Sequence, residues 1–220
     1  MNGMKPTKIK FCGLSRPCDI RAANALKPEY IGFVFAPGSR RYVTPEQAAS
    51  LKLLLNPGIR TVGVFVDGKP ETVADLLNRG TIHLAQLHGS EDEAYIGRLR
   101  ALTDKPIIKA CRVVTADDVA AAFQSTADYI LFDSGAGTGT AFDWSLIRDV
   151  RRPYFLAGGL SPDNAAQAVK CLNPYALDVS SGIETHGVKD EDKMKAFAAA
   201  VRKDNMTVRN AAVRKEDSYD

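Results

Sequence analysis

Eight short runs rich in β-branched and aromatic residues recur along this chain, and each is followed by a polar-capped segment with helical signals. They cover residues 8–14, 30–35, 61–66, 82–88, 106–113, 128–133, 154–159 and 175–181. A strict alternation of strand and helix leaves few solutions, because strands joined by helical crossovers run parallel in one sheet. Roughly 20 to 30 residues per unit is the length of one βα repeat in a closed eight-fold barrel. The competing architecture, a doubly wound open sheet, usually has fewer strands. Its nucleotide-binding form carries Gly-x-Gly-x-x-Gly after the first strand. Here Cys12-Gly13-Leu14-Ser15-Arg16-Pro17 stands in that place. The 220 residues suffice for one sizeable core. The expectation is an α/β, single-domain (β/α)8 barrel over residues 1–202, followed by a polar, poorly ordered extension over 203–220.

The helix starts can be read one by one. Thr44-Pro45-Glu46 and Ser161-Pro162-Asp163 each join a capping side chain to a proline suited to the first turn, and Lys69-Pro70-Glu71 opens another helix. Ser90 with Glu93, and Thr115 with Asp118, have the spacing of a capping box. Trp144 is expected to pack the sixth helix against the barrel.

Composition narrows the function classes. A net charge of +3 forms no basic stripe, so nucleic acid is not an expected partner, while a small anionic ligand is compatible with it. The longest apolar runs are strand-sized, which gives no membrane span. Cys12, Cys18, Cys111 and Cys171 lack paired short spacings and the N-terminus lacks an apolar signal segment, so the chain reads as cytoplasmic with free thiols. His83, His88 and His186 share no metal-ligand spacing, so no metal is expected, and His88 is read as ordering a loop.

In a barrel, the C-terminal ends of all eight strands open into one mouth, however far apart they lie in sequence. That rule selects Cys12, Arg40, Arg41, Asp67, Gln86, His88, Lys109, Arg112, Asp133, Gly158, Gly159, Asp178, Ser180, Ser181 and Gly182. Glycine clusters follow strands six, seven and eight, and the loops after seven and eight are where barrels commonly bind phosphate through exposed backbone N–H groups. The same glycines equally serve tight turns. Cys12 alone reads as a small buried hydrophobe. Asp133 ends the apolar run Tyr129-Ile130-Leu131-Phe132, where a carboxylate needs a partner, solvent or a task. Together they suggest a base and an acid facing each other across the mouth. Cationic neighbours can lower a thiol from its reference near 8.5, and partial desolvation can raise a carboxyl group.

The ordered set of segments resembles the phosphoribosylanthranilate isomerase family over most of the chain. It comprises Lys10-Phe11-Cys12-Gly13-Leu14, Gly32-Phe33-Val34-Phe35-Ala36-Pro37, Ser39-Arg40-Arg41-Tyr42 and Val62-Gly63-Val64-Phe65-Val66. After these come Gln86-Leu87-His88-Gly89, Asp133, Gly137-Thr138-Gly139, Phe142-Asp143-Trp144, Gly158-Gly159-Leu160 and Asp178-Val179-Ser180-Ser181-Gly182-Ile183-Glu184. The resemblance implies a cofactor-free Amadori rearrangement in tryptophan biosynthesis, with one small phosphorylated substrate and a monomer or homodimer. It implies Asp133 as the acid that opens the furanose ring and Cys12 as the base that removes the C2 proton. Arg41 would hold the anthranilate carboxylate, with Arg40 beside it. Gly139, Gly158, Gly159, Ser181 and Gly182 would cradle the phosphate, and Asp178 would lie on the barrel floor near the sugar. Phe11 replaces the family's usual isoleucine and by strand alternation should face away from the mouth. The stretch after Asp133 is shorter than the family's.

Two other readings remain at this stage. A related histidine-pathway ribotide isomerase would carry an aspartate in place of Cys12. A non-catalytic sugar-phosphate-binding barrel would require neither Cys12 nor Asp133.

Overall fold

A computed structural model of the chain describes residues 6–133 and 143–216, with side chains up to position 203. The eight expected strands form, in sequence order, one closed parallel barrel. They are β1 (Lys8–Cys12), β2 (Tyr30–Val34), β3 (Arg60–Phe65), β4 (Leu84–Leu87), β5 (Ile107–Arg112), β6 (Tyr129–Asp133), β7 (Tyr154–Leu156) and β8 (Ala176–Val179). Closure is made by β1 on β8, with Lys10 opposite Asp178 and Phe11 opposite Val179.

Helices α1 (Pro17–Leu26), α2 (Pro45–Leu53), α3 (Pro70–Asn78), α4 (Glu93–Arg100), α5 (Ala116–Phe123), α6 (Pro162–Leu172) and α7 (Glu191–Glu216) surround it. The caps explain where several begin. Thr44 Oγ1 accepts from the Gln47 N–H while the Gln47 side chain returns to Thr44 N–H, and Thr115 with Asp118 repeats the exchange. At α6, Asn164 Oδ1 accepts from Ser161 N–H behind Pro162.

Two local expectations are corrected. Ser90 does not cap α4: its hydroxyl donates to Asp67 Oδ1 at 2.7 Å, and Asp92 accepts from Tyr95 N–H in its place. Before β7, the described residues hold a 3-10 turn, Trp144–Ile147, and Trp144 packs from that turn against the core.

Strand alternation sorts the side chains. Phe11 points outward and meets Phe197 of α7 edge-on at 6.4 Å, as expected from its parity. Inward-facing Tyr30, Val62, Leu84, Ile108, Leu131 and Phe155 fill the lower barrel, whereas Cys12, Val34 and Val64 form a smaller apolar layer nearer the mouth. A small hairpin of β9 (Glu184–Thr185) and β10 (Val188–Lys189) follows β8 on the mouth side. Among the described residues, no helix is long and apolar enough to cross a membrane.

Candidate active site

Above that layer lies a cavity of about 310 Å³, lined by residues from the ends of most of the barrel strands. Cys12, Arg41, Asp133, Gly158, Gly159, Asp178 and Ser181 all line it. Gly182 adjoins it: a Cβ there would stand 1.9 Å from Leu160 O, so its bare backbone lets the loop after β8 press against the loop after β7. Gly139 and the short stretch after Asp133 lie outside the described residues.

Cys12 ends β1 and is 8% exposed. The turn after it needs glycine twice over. Gly13 sits at φ +77°, and a Cβ on it would lie 2.4 Å from Arg41 Cδ. Burial pushes the Cys12 thiol up; Lys10 and, more weakly, Lys189 pull it down, and Asp178 adds to the rise. The cationic neighbours that could have lowered the thiol are present, yet burial outweighs them.

Lys10, two residues earlier on the same inward face, is fully buried and bonds both carboxylate oxygens of Asp178 at 2.9 and 2.8 Å. Burial draws the Lys10 ammonium down, but Asp178 and Cys12 leave it above its ordinary value. Asp178 therefore reaches the cavity wall already paired.

Asp133, the last residue of β6, lines the same cavity as Cys12. His88 Nε2 approaches Asp133 Oδ2 at 3.2 Å, and Gln86 Nε2 lies 2.8 Å from His88 Nδ1. Gln86 and Asp133 thus bracket the two ring nitrogens of His88. The expectation that His88 orders a loop is thus corrected: it faces the cavity and holds Asp133.

A second charged group forms the rim. Glu184 accepts from Arg41 Nε at 2.6 Å and Nη2 at 2.9 Å, from Arg40 Nη2 at 2.7 Å and from Lys189 Nζ at 2.7 Å. Burial opposes its charge, but Arg41 and Lys189 hold its carboxyl at about 2. One edge of the Arg41 guanidinium is thereby used, and the Nη1–Nη2 edge keeps its donors for an anion. Arg40 is largely exposed and serves Glu184 from outside. Asp67 and Lys109 belong elsewhere: with Ser90, Gly89 and Glu91 they tie the loops after β3 and β4 together.

Sequence reasoning missed Lys10, Glu184 and Lys189. Lys10 carried a signal, a lysine at inward parity in an otherwise buried strand, which demands a buried anion. Glu184 and Lys189 lie beyond the last barrel strand, where parity says nothing. Among the described residues, no three His, Cys, Asp or Glu side chains are grouped to hold a metal ion.

Residues 9–200 match the family model described as N-(5'phosphoribosyl)anthranilate (PRA) isomerase. An N-(5'-phosphoribosyl)anthranilate isomerase of Endomicrobium trichonymphae is 48% identical over 192 residues, covering 85% of this chain and 94% of that protein. The crystal structure of phosphoribosyl anthranilate isomerase from Thermotoga maritima superposes with a TM-score of 0.82 at 35% identity, over 90% of this chain and 99% of that one. Another structure of this enzyme, in complex with reduced 1-(o-carboxyphenylamino)-1-deoxyribulose 5-phosphate, gives 0.80 at 34%, with the same coverage.

Proposed function

The chain belongs to the N-(5'-phosphoribosyl)anthranilate isomerase family, and from that premise we propose how its own residues carry out the rearrangement. The enzyme converts N-(5'-phosphoribosyl)anthranilate to 1-(2-carboxyphenylamino)-1-deoxyribulose 5-phosphate in tryptophan biosynthesis. The observation that carries the assignment of roles is that Cys12 and Asp133, alone in sequence and 121 residues apart by number, line one cavity of ligand size.

Asp133 gives its proton to the furanose ring oxygen. The C1–O bond breaks as the anthranilate nitrogen lone pair forms an iminium. Cys12, as thiolate, then takes the C2 proton, and the C–H electrons become the C1–C2 double bond of an enolamine while the nitrogen regains its lone pair. Loss of the C2 hydroxyl proton and protonation at C1 give the ketone. The iminium acidifies the C2 proton, so a thiolate of modest basicity suffices. Arg41 receives the anthranilate carboxylate on its free edge, and Gly158, Gly159, Ser181 and Gly182 receive the phosphate on backbone N–H groups. Gly139 is proposed to join them. Asp178 is proposed to act through Lys10 beneath the sugar.

The four cysteines are unpaired, which supports a reducing compartment such as the cytoplasm. The test is product formation by Cys12→Ala and Asp133→Asn, each expected to lose about 10²- to 10⁴-fold in kcat with the circular dichroism of the fold retained. Near-normal turnover in either variant would remove that residue from its role, and ligand binding without turnover in the wild-type protein would leave only a sugar-phosphate-binding barrel.

A further inference from the structure

Lys10 is a fully buried ammonium whose part in the rearrangement so far is only its pairing with Asp178, and it does not line the cavity. Its environment is specific. Gly32 of β2 stands opposite Cys12 in the β1–β2 ladder. A Cβ on Gly32 would lie 2.8 Å from Cys12 Sγ and 3.3 Å from Lys10 Nζ. The thiol and the ammonium therefore converge on the one space that this glycine leaves empty. Asp178, bonded through both oxygens, fixes the ammonium from the other side. A buried cation between a carboxylate and a thiol can stabilise negative charge on the sulfur without touching the substrate.

We propose that Lys10, held in place by Asp178, is the positioning residue that stabilises the Cys12 thiolate during proton abstraction. The proposal rests on Cys12 being the base. Four charged groups bear on that sulfur, Lys10 on β1, Asp178 on β8, Lys189 on β10 and Arg41 after β2, while His88 and Asp133 line the same cavity. Lys189 and Arg41 are committed to Glu184 through short ion pairs, whereas Lys10 pairs with Asp178 beside the space that Gly32 leaves at the Cys12 sulfur. The thiol sits high because it is buried, and removing the Lys10 cation that draws it down should raise it further.

The experiment follows alkylation of Cys12 by iodoacetamide as a function of pH, in a Cys18→Ser/Cys111→Ser/Cys171→Ser background, alongside steady-state kinetics. Lys10→Met is expected to move the thiol midpoint up by about one to three units. It should lower kcat at neutral pH by about tenfold or more with KM little changed, part of the loss returning as pH rises. Asp178→Asn is expected to move the midpoint down. Because Lys10→Met alone strands a buried carboxylate and can unfold the barrel, Lys10→Met/Asp178→Asn provides a charge-balanced variant, again with an upward midpoint. If the double variant loses thermal stability while Cys12 titrates as in the wild type, Lys10 only braces β1 against β8 and the inference is overturned. A Cys12→Ala enzyme that keeps its turnover would instead overturn the base assignment, whatever the titration shows.

Discussion

Lys8 and Lys10 lie on one strand and share one parity, but they serve opposite ends of the barrel. Lys10 meets a carboxylate and a thiol near the mouth. Lys8 meets tyrosines at the floor: its ammonium donates to Tyr175 Oη at 2.7 Å and lies 4.2 Å from the centre of that ring. Tyr30 joins through its hydroxyl at 2.9 Å, and burial with the Tyr175 contact pushes the Tyr30 phenol up to about 12. Burial at the floor therefore keeps the Tyr30 phenol protonated, whereas the mouth gathers ionisable partners that bear on one another. The same side chain is structural or functional according to the charge of what faces it. Substitutions at the mouth should cost turnover or binding first, and substitutions at the floor should cost stability alone.

Arg41→Met presses hardest on the mouth side of that contrast. Removing a charge-assisted recognition group should raise KM by about tenfold to a hundredfold, with a smaller change in kcat. Steady-state kinetics measures both, and an unchanged KM would send the substrate carboxylate to another cation. Glu184→Gln sharpens the point, because Glu184 holds Arg41 without reaching substrate in the proposed arrangement. Its carboxyl is at about 2 against an ordinary 4.5. The stability it contributes is complete above the higher value and lost as pH falls toward the lower one. The melting temperature of Glu184→Gln should accordingly lie below that of the wild type at pH 6, with the gap closing between about pH 4.5 and 2. A gap that stayed constant across that window would mean that the Glu184 charge contributes nothing.

The strands were readable because each is a short apolar run between caps, and every one of the eight was found within about three residues at most of its ends. Cys12 and Asp133 were readable because barrel strands deliver their last residues to a common mouth. What sequence could not supply is pairing across the closure. Lys10 finds Asp178 at a separation of 168 residues, and Arg41 finds Glu184 at 143. His88 was misread for the same reason, since its partner Asp133 is 45 residues away on β6. The misplaced start of α4 has a similar cause. Asp67, on a neighbouring loop, claims the Ser90 hydroxyl that would otherwise have capped the helix.

The smallest effect is expected at the floor, and there the comparison can fail cleanly. Tyr175→Phe keeps the ring that stacks on Tyr129 at 5.0 Å and meets Phe155 at 5.4 Å, and removes only the hydroxyl bonded to Lys8, Tyr30 and, at 3.4 Å, Tyr129. Lys8 is partly exposed and can turn to water, so the loss should be about 1 kcal/mol, or a few degrees in melting temperature for a chain of this size. Its kcat and KM should match the wild type, because the filled layer of Tyr30, Leu131 and Phe155 stands between the floor and the cavity. A fall in kcat without a matching loss of stability would show that the floor's charge reaches Cys12 through that layer. The two lysines of β1 would then belong to one electrostatic unit.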